Sequence, residues 1–231
     1  MALGQAPQAP TAPAVRPPAD PGQFGRFRTQ MREQPEDIWQ PVYDRVNYPA
    51  AGSNELSFFN VAIGQSATLI RAGVAAAVNK TRRDTNLEQP GVIPTKAFKI
   101  HGFSLTLIPL QQAIAAAATP SINDDMLRLV NGGFMEFRIV DKPYIYLPLH
   151  KIPATGILRG GVATTATATT MVAAGGTGTG APRDIYWIGV PLTLDPYQNF
   201  SCRMQFDGTV ALGQTFDLQL FLEGYMRRPG Q

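Results

Sequence analysis

The sequence predicts an all-β fold, with antiparallel sheets packed on one core, and three observations carry that reading. Toward the C-terminus the chain alternates strictly. Phe200, Cys202, Met204 and Phe206 interleave with Ser201, Arg203, Gln205 and Asp207, and Phe216, Leu218, Leu220 and Leu222 keep the same period. Successive side chains of a strand point to opposite faces, so a period of two means one face buried and one wet. Turn residues separate the runs, Asp195-Pro196 before the first and Asp207-Gly208 and Gly213 between them. At 231 residues and 44% hydrophobic, the chain is long and apolar enough for one such core.

Residues 1–22 hold Pro7, Pro10, Pro13, Pro17, Pro18 and Pro21 among small residues, which forbids a helix and leaves little to bury. From Phe24 to Tyr48 aromatic residues (Phe24, Phe27, Trp39, Tyr43, Tyr48) alternate with Arg26, Arg28, Arg32 and Arg45. Pro35-Glu36-Asp37 suits the first turn of a short helix that Pro41 would end. Residues 1–50 therefore read as an extended, proline-rich arm with aromatic anchors, and 51–231 as the folded body. Exposed aromatic side chains are costly unless a partner covers them. Phe24, Phe27 and Trp39, with Arg26 and Arg28, are accordingly expected to contact neighbouring subunits.

The body opens with a strand at Leu56–Ile63. A long excursion over residues 64–95 follows, with a polar centre at Lys80-Thr-Arg-Arg-Asp-Thr-Asn86. Lys80, Arg82 and Arg83 form a cationic cluster there, either a solvated loop or a bridge to a neighbouring subunit. In the strand Ala97–Ile108, Phe98 and Ile100 lie on one register and Phe103, Leu105 and Leu107 on the other. Gly102 at the slip signals a β-bulge, with His101 on the polar face beside it. Residues 110–122 are Ala-rich and ambiguous. Asn123 as N-cap, acids in the first turn and Gly132-Gly133 as the stop mark one short helix. Strands at Phe134–Val140 and Tyr144–Leu149, joined by Asp141-Lys142-Pro143, precede a Thr/Ala/Gly loop over residues 154–181, with an edge strand at Ala163–Thr170 as its one candidate element. The closing strands fall at 185–194, 199–207 and 215–226. About eight antiparallel strands in two sheets, with long connections between them, make a single jelly-roll β-sandwich.

Composition narrows the function classes. The net charge of +3 comes from scattered Lys and Arg, whereas nucleic-acid-binding domains concentrate cations on one face. The single cysteine, Cys202, occupies an inward strand position and reads as a packing residue. No run approaches the roughly 20 apolar residues of a membrane-spanning helix, and no basic segment followed by an apolar one opens the chain. These features lead to the expectation of a soluble protein made in a cytoplasm.

Catalytic signals are sparse. A metal site of the cupin type needs clustered histidines with a carboxylate; here only His101 and His150, with Glu136 as the carboxylate, could meet in space. No Gly-x-Ser-x-Gly elbow occurs. The run Gly175-Gly-Thr-Gly-Thr-Gly180 lacks the Lys-Ser/Thr of a phosphate loop. The expectation is no enzyme, no cofactor, no metal and no small-molecule substrate. Tyr186 and Trp187 are the candidates for a sugar platform.

Leu56–Ile63, Ala97–Ile108, the pair within Gly133–Leu149, and Phe216–Arg228 as closing strand, behind a proline-rich arm, together resemble jelly-roll viral capsid proteins. Structural proteins of tailless icosahedral bacteriophages are the nearest in pattern. The length departs from the two jelly rolls per chain of several such families. The resemblance implies a virion shell subunit made in the host cytoplasm, with copies of itself and other virion proteins as partners. The aromatic and arginine residues of the arm leave a genome or an inner membrane as alternative contacts, with clamping between subunits preferred because the cation density is low and no sustained amphipathic helix is present. The alternatives are a binding module of the same fold (lectin-like, spike or tail component) and, last, a cupin-type metalloenzyme.

Overall fold

The computed structural model describes residues 36–94, 96–110, 122–155 and 185–228. Eleven of its strands precede one long closing strand. They are β1 (Glu36–Trp39), β2 (Val42–Tyr48), β3 (Glu55–Phe58), β4 (Ser66–Arg71), β5 (Val74–Asn79), β6 (Ala97–Pro109), β7 (Gly133–Ile139), β8 (Lys142–Pro148), β9 (Ala154–Thr155), β10 (Tyr186–Leu194) and β11 (Phe200–Phe206). Strand β12 (Phe216–Arg228) closes the chain, and one helix, α1 (Ile122–Asn131), lies between β6 and β7. The fold is all-β, as the alternation predicts.

Six strands form the first sheet: β12 and β6 lie at its centre, β1 and β2 pair end to end along β12, and β10 and β9 pair with β6. The second sheet runs β3-β11-β7-β8, and β4-β5 is a separate hairpin. When β1 and β2 are taken as one interrupted strand, and β4, β5 and β9 are set aside, eight strands remain. In chain order they lie 1-8-3-6 in one sheet and 2-7-4-5 in the other. The inner faces meet across a continuous core. Phe103 of β6 packs edge-on against Phe137 of β7, with centroids 5.6 Å apart, and Tyr48 of β2 against Phe206 of β11 at 5.1 Å. The expected inward set (Phe200, Cys202, Met204, Phe206, Phe216, Leu218 and Leu220) is buried throughout.

The bulge in β6 is present. Glu223 pairs with Gly102 and Gly224 with Ile100, which leaves His101 as the extra residue. Ile100 and Phe103 consequently both face the core. Strand β12 approaches so closely here that a Cβ on Gly224 would lie 2.0 Å from the Lys99 carbonyl oxygen. Only glycine fits that approach.

Several boundaries differ from the sequence reading. Residues 36–39 are a strand rather than a helix, because the C-terminal half of β12 offers them a ladder that a four-residue helix cannot match. Pro41 interrupts the strand without ending the pairing, since the Gln40 amide still donates to Gly224 O at 3.0 Å. The folded body thus begins at Glu36, not at residue 51, and Trp39 belongs to the sheet. Strand β3 stops at Phe58, where Phe59 turns left-handed at φ 65°. The excursion contains a hairpin whose Ala72-Gly73 turn has φ of 49° and 76°, matching the two positive angles of a type I′ turn. The β7–β8 turn is Val140-Asp141, with Val140 at φ 55°, and Lys142 and Pro143 already belong to β8. The loop 154–181 is described only at β9, and its candidate strand Ala163–Thr170 lies outside the described residues, as does the Ala-rich run after Leu110 up to α1.

Truncating a fully packed aromatic side chain costs about 3–5 kcal/mol. Phe206→Ala and Phe216→Ala should each lower unfolding free energy by that amount in urea titration; a cost below about 0.5 kcal/mol at both would mark them as surface residues.

Candidate functional site

Two side-chain constellations stand out on the first sheet, and the excursion explains one of them. Residues 80–87 run along the free edge of β2: Thr85 forms an antiparallel bridge with Asp44, the Tyr43 amide donates to Asn86 Oδ1 (3.0 Å), and Asn86 Nδ2 donates to Pro41 O (2.8 Å). An unpaired strand edge is a liability, and here the chain covers its own.

Beneath this cover lies a charge network. The Asp217 carboxylate, on the outer face of β12, accepts Arg45 Nε (2.8 Å), Arg45 Nη2 (2.6 Å), the Ile70 amide (2.8 Å) and Asn47 Nδ2 (2.7 Å). Arg45 also faces Asp84 at 3.7 Å, and Asp84 accepts from Arg71, the Thr81 amide (2.9 Å) and the Thr81 hydroxyl (3.0 Å). At the sheet edge Lys80 Nζ lies 2.6 Å from Asp44 Oδ1, while the Phe59 amide donates to Oδ2 at 2.7 Å. Three acids (Asp44, Asp84, Asp217) balance three bases (Arg45, Arg71, Lys80), and all but Arg71 are buried. Isolated charges so placed would be prohibitive; paired and hydrogen-bonded ones are tolerated. Burial pushes the Asp44 carboxyl up, outweighing the Lys80 charge and its hydrogen bonds. At Asp84 burial also raises, but hydrogen bonds from Arg71 and Thr81 together with the Arg71 charge hold the carboxyl below its ordinary value.

The second constellation is a row of rings across the outer face of the same sheet. Trp39 of β1 stands opposite Tyr225 of β12, and Trp187 of β10 opposite Gly102 of β6. The two indoles start on opposite edge strands, yet their centroids are 5.9 Å apart and tilted by 46°. They lean over the central strands toward each other. Trp39 meets Tyr225 edge-on at 4.9 Å and His101 at 6.3 Å, and His101 meets Tyr225 at 5.3 Å. The bulge is what turns His101 outward into this row. Strand β10 loops as well: Trp187 pairs with Gly102 and Leu192 with Ile100, so Ile188, Gly189, Val190 and Pro191 stand against His101 alone. Trp39 and Tyr225 remain 39% exposed and Trp187 49%. Next to the row Arg227 donates to Asp37, Nε to Oδ1 at 3.0 Å.

The sequence-derived candidates distribute unevenly. Trp39 lies in the ring row, together with Trp187; Tyr186 is half-buried and packs on the core. Lys80 is buried against Asp44, so it separates from Arg82 and Arg83, whose side chains are exposed on the loop covering β2. Their carbonyls accept from the Tyr43 hydroxyl and from Gln219 Nε2 (3.2 Å), respectively. Phe24, Phe27, Arg26 and Arg28 lie outside the described residues. His101 sits among rings and His150 is exposed in a 3-10 turn at Leu149–Lys151. Glu136 is held by Arg138 Nη2 at 2.8 Å, and that hydrogen bond leads in depressing its carboxyl. Among the described residues, no group of three or more His, Cys, Asp and Glu side chains is placed to hold a metal ion, and no helix is long and apolar enough to cross a membrane. Burial pushes the Cys202 thiol up, away from the reactive thiolate.

Comparison with known protein families, with characterised proteins and with solved structures returns no match.

Removing one partner of a buried pair strands the other. Asp44→Ala should therefore cost about 3–5 kcal/mol of unfolding free energy in urea titration. The Asp84 carboxyl is depressed in the fold, so its contribution is complete above its ordinary value of 3.8 and is lost as pH falls through the lower folded value. Asp84→Asn should accordingly lower stability at neutral pH and flatten its decline in acid, as read by urea midpoints across pH.

Proposed function

We propose that this chain is a shell subunit of a bacterial virus, a single jelly roll that acts by self-association and performs no catalysis. The observation that carries the reading is the order of the eight principal strands, 1-8-3-6 and 2-7-4-5, in which successive strands mostly cross between the sheets. That winding is what two interlocked Greek keys produce, and the jelly roll is a fold of viral capsid and lectin domains. A proline-rich N-terminal segment with Phe24 and Phe27 supports clamping between copies, since such a segment cannot offset its ordering entropy alone. Arg82 and Arg83 offer exposed cations for a neighbouring copy. The site of action is the virion, with copies of the chain as the main partner, other virion proteins beside them, and the arm available to a genome or an inner membrane.

The ring row favours a second reading, a binding module of the same fold, because exposed Trp and Tyr side chains on a sheet face are the usual furniture of recognition surfaces.

Light scattering and negative-stain electron microscopy of the purified protein separate the two. The shell reading expects large, uniform, closed particles of the full-length chain. Deletion of residues 1–35 should leave the body folded and weaken or abolish those particles. A full-length chain that stays monomeric at all concentrations would contradict the shell reading.

A further inference from the structure

We infer that the Trp39–Tyr225–Trp187 row is a receptor for a proline-rich strip, and that the strip is residues 7–13 of a second copy of this chain. The inference rests on the assembly reading above and names the surface through which the arm acts.

The row has the aromatic side chains such a ligand requires. A sugar ring stacks on a flat aromatic table, whereas these rings are tilted 46° and 87° to one another and form no single plane. Proline-rich segments dock against closely set aromatic side chains. Their polyproline II conformation repeats every three residues with a rise of about 3.1 Å, so prolines three apart fall on one edge about 9 Å from each other. Pro7, Pro10 and Pro13 have that spacing. A pair of them can flank the two indoles, whose centroids are 5.9 Å apart. Such a strip begins with restricted backbone freedom, which lowers the entropy lost on docking.

The length of chain ahead of the sheet suits exchange between copies. Twenty-two residues separate Pro13 from Glu36, which starts the strand that carries Trp39. A segment of that length can span up to roughly 70 Å when extended. The arm of one copy can therefore reach a row on an adjoining copy.

The row reports on its own occupancy. The chain has two tryptophans, Trp39 and Trp187, and both are in the row. The experiment measures tryptophan emission and acrylamide quenching of the full-length protein, with light scattering on the same samples. The comparison is with the combined variant Pro7→Ala, Pro10→Ala and Pro13→Ala, whose changes lie outside the body. The assembled wild type should show shielded tryptophans. The variant should be red-shifted, with a quenching constant about twofold higher, and a synthetic peptide of residues 5–15 should restore the shielding. Equal quenching of wild type and variant in assembled particles would overturn the inference and leave the assembly reading standing. Shielding that persists unchanged on dilution to monomers would also overturn it, since no second copy would then supply the strip. Failure to form particles at any concentration would be seen in the scattering, independently of the fluorescence.

Discussion

Asp217 is the group on which the first sheet depends. It is a charge on the outer face of the central strand β12, out of water, and it is tolerable only because four donors from β2 and β4 converge on it. Arg45 and Asn47 reach it from the neighbouring strand, and the Ile70 amide arrives only if the hairpin β4–β5 folds back over β2. Arg45 then extends the network to Asp84, and Lys80 closes on Asp44 at the sheet edge. Asp217 thus ties the excursion to the body through the Ile70 amide, while Thr85 and Asn86 cover the edge of β2.

The opposite end of the same face is governed by packing rather than charge. The bulge at His101, the close approach at Gly224 and the looped β10 bring four rings from four strands together. An ion network at one end and an aromatic row at the other leave the outer face divided into a sealed half and a half-exposed one.

The inner faces were legible in the sequence because alternation is local: Phe200 to Phe206 and Phe216 to Leu222 state their own orientation. The bulge was legible too, since Gly102 marked the slip between Ile100 and Phe103. The hairpin β4–β5 was not, because Val74-Ala-Ala-Ala-Val-Asn79 has little contrast between its faces; Ala72-Gly73 was its one local signal. The charge network and the ring row were beyond local reading. Trp39 and Trp187 meet only through the pairing of four strands, and Lys80, read beside Arg82 and Arg83 as one cationic cluster, finds its partner 36 residues earlier. Residues 36–39 misled for a similar reason, since their strand exists only because β12 is there to pair with.

The charge network as the anchor of the excursion is open to direct measurement by native-state hydrogen exchange on Asp217→Asn. The account predicts that amides of β4, β5 and residues 80–87 lose protection, while those of β7 and β11 in the second sheet keep theirs. Wild-type protection across residues 66–87 in the variant, or a uniform loss over both sheets, would contradict it.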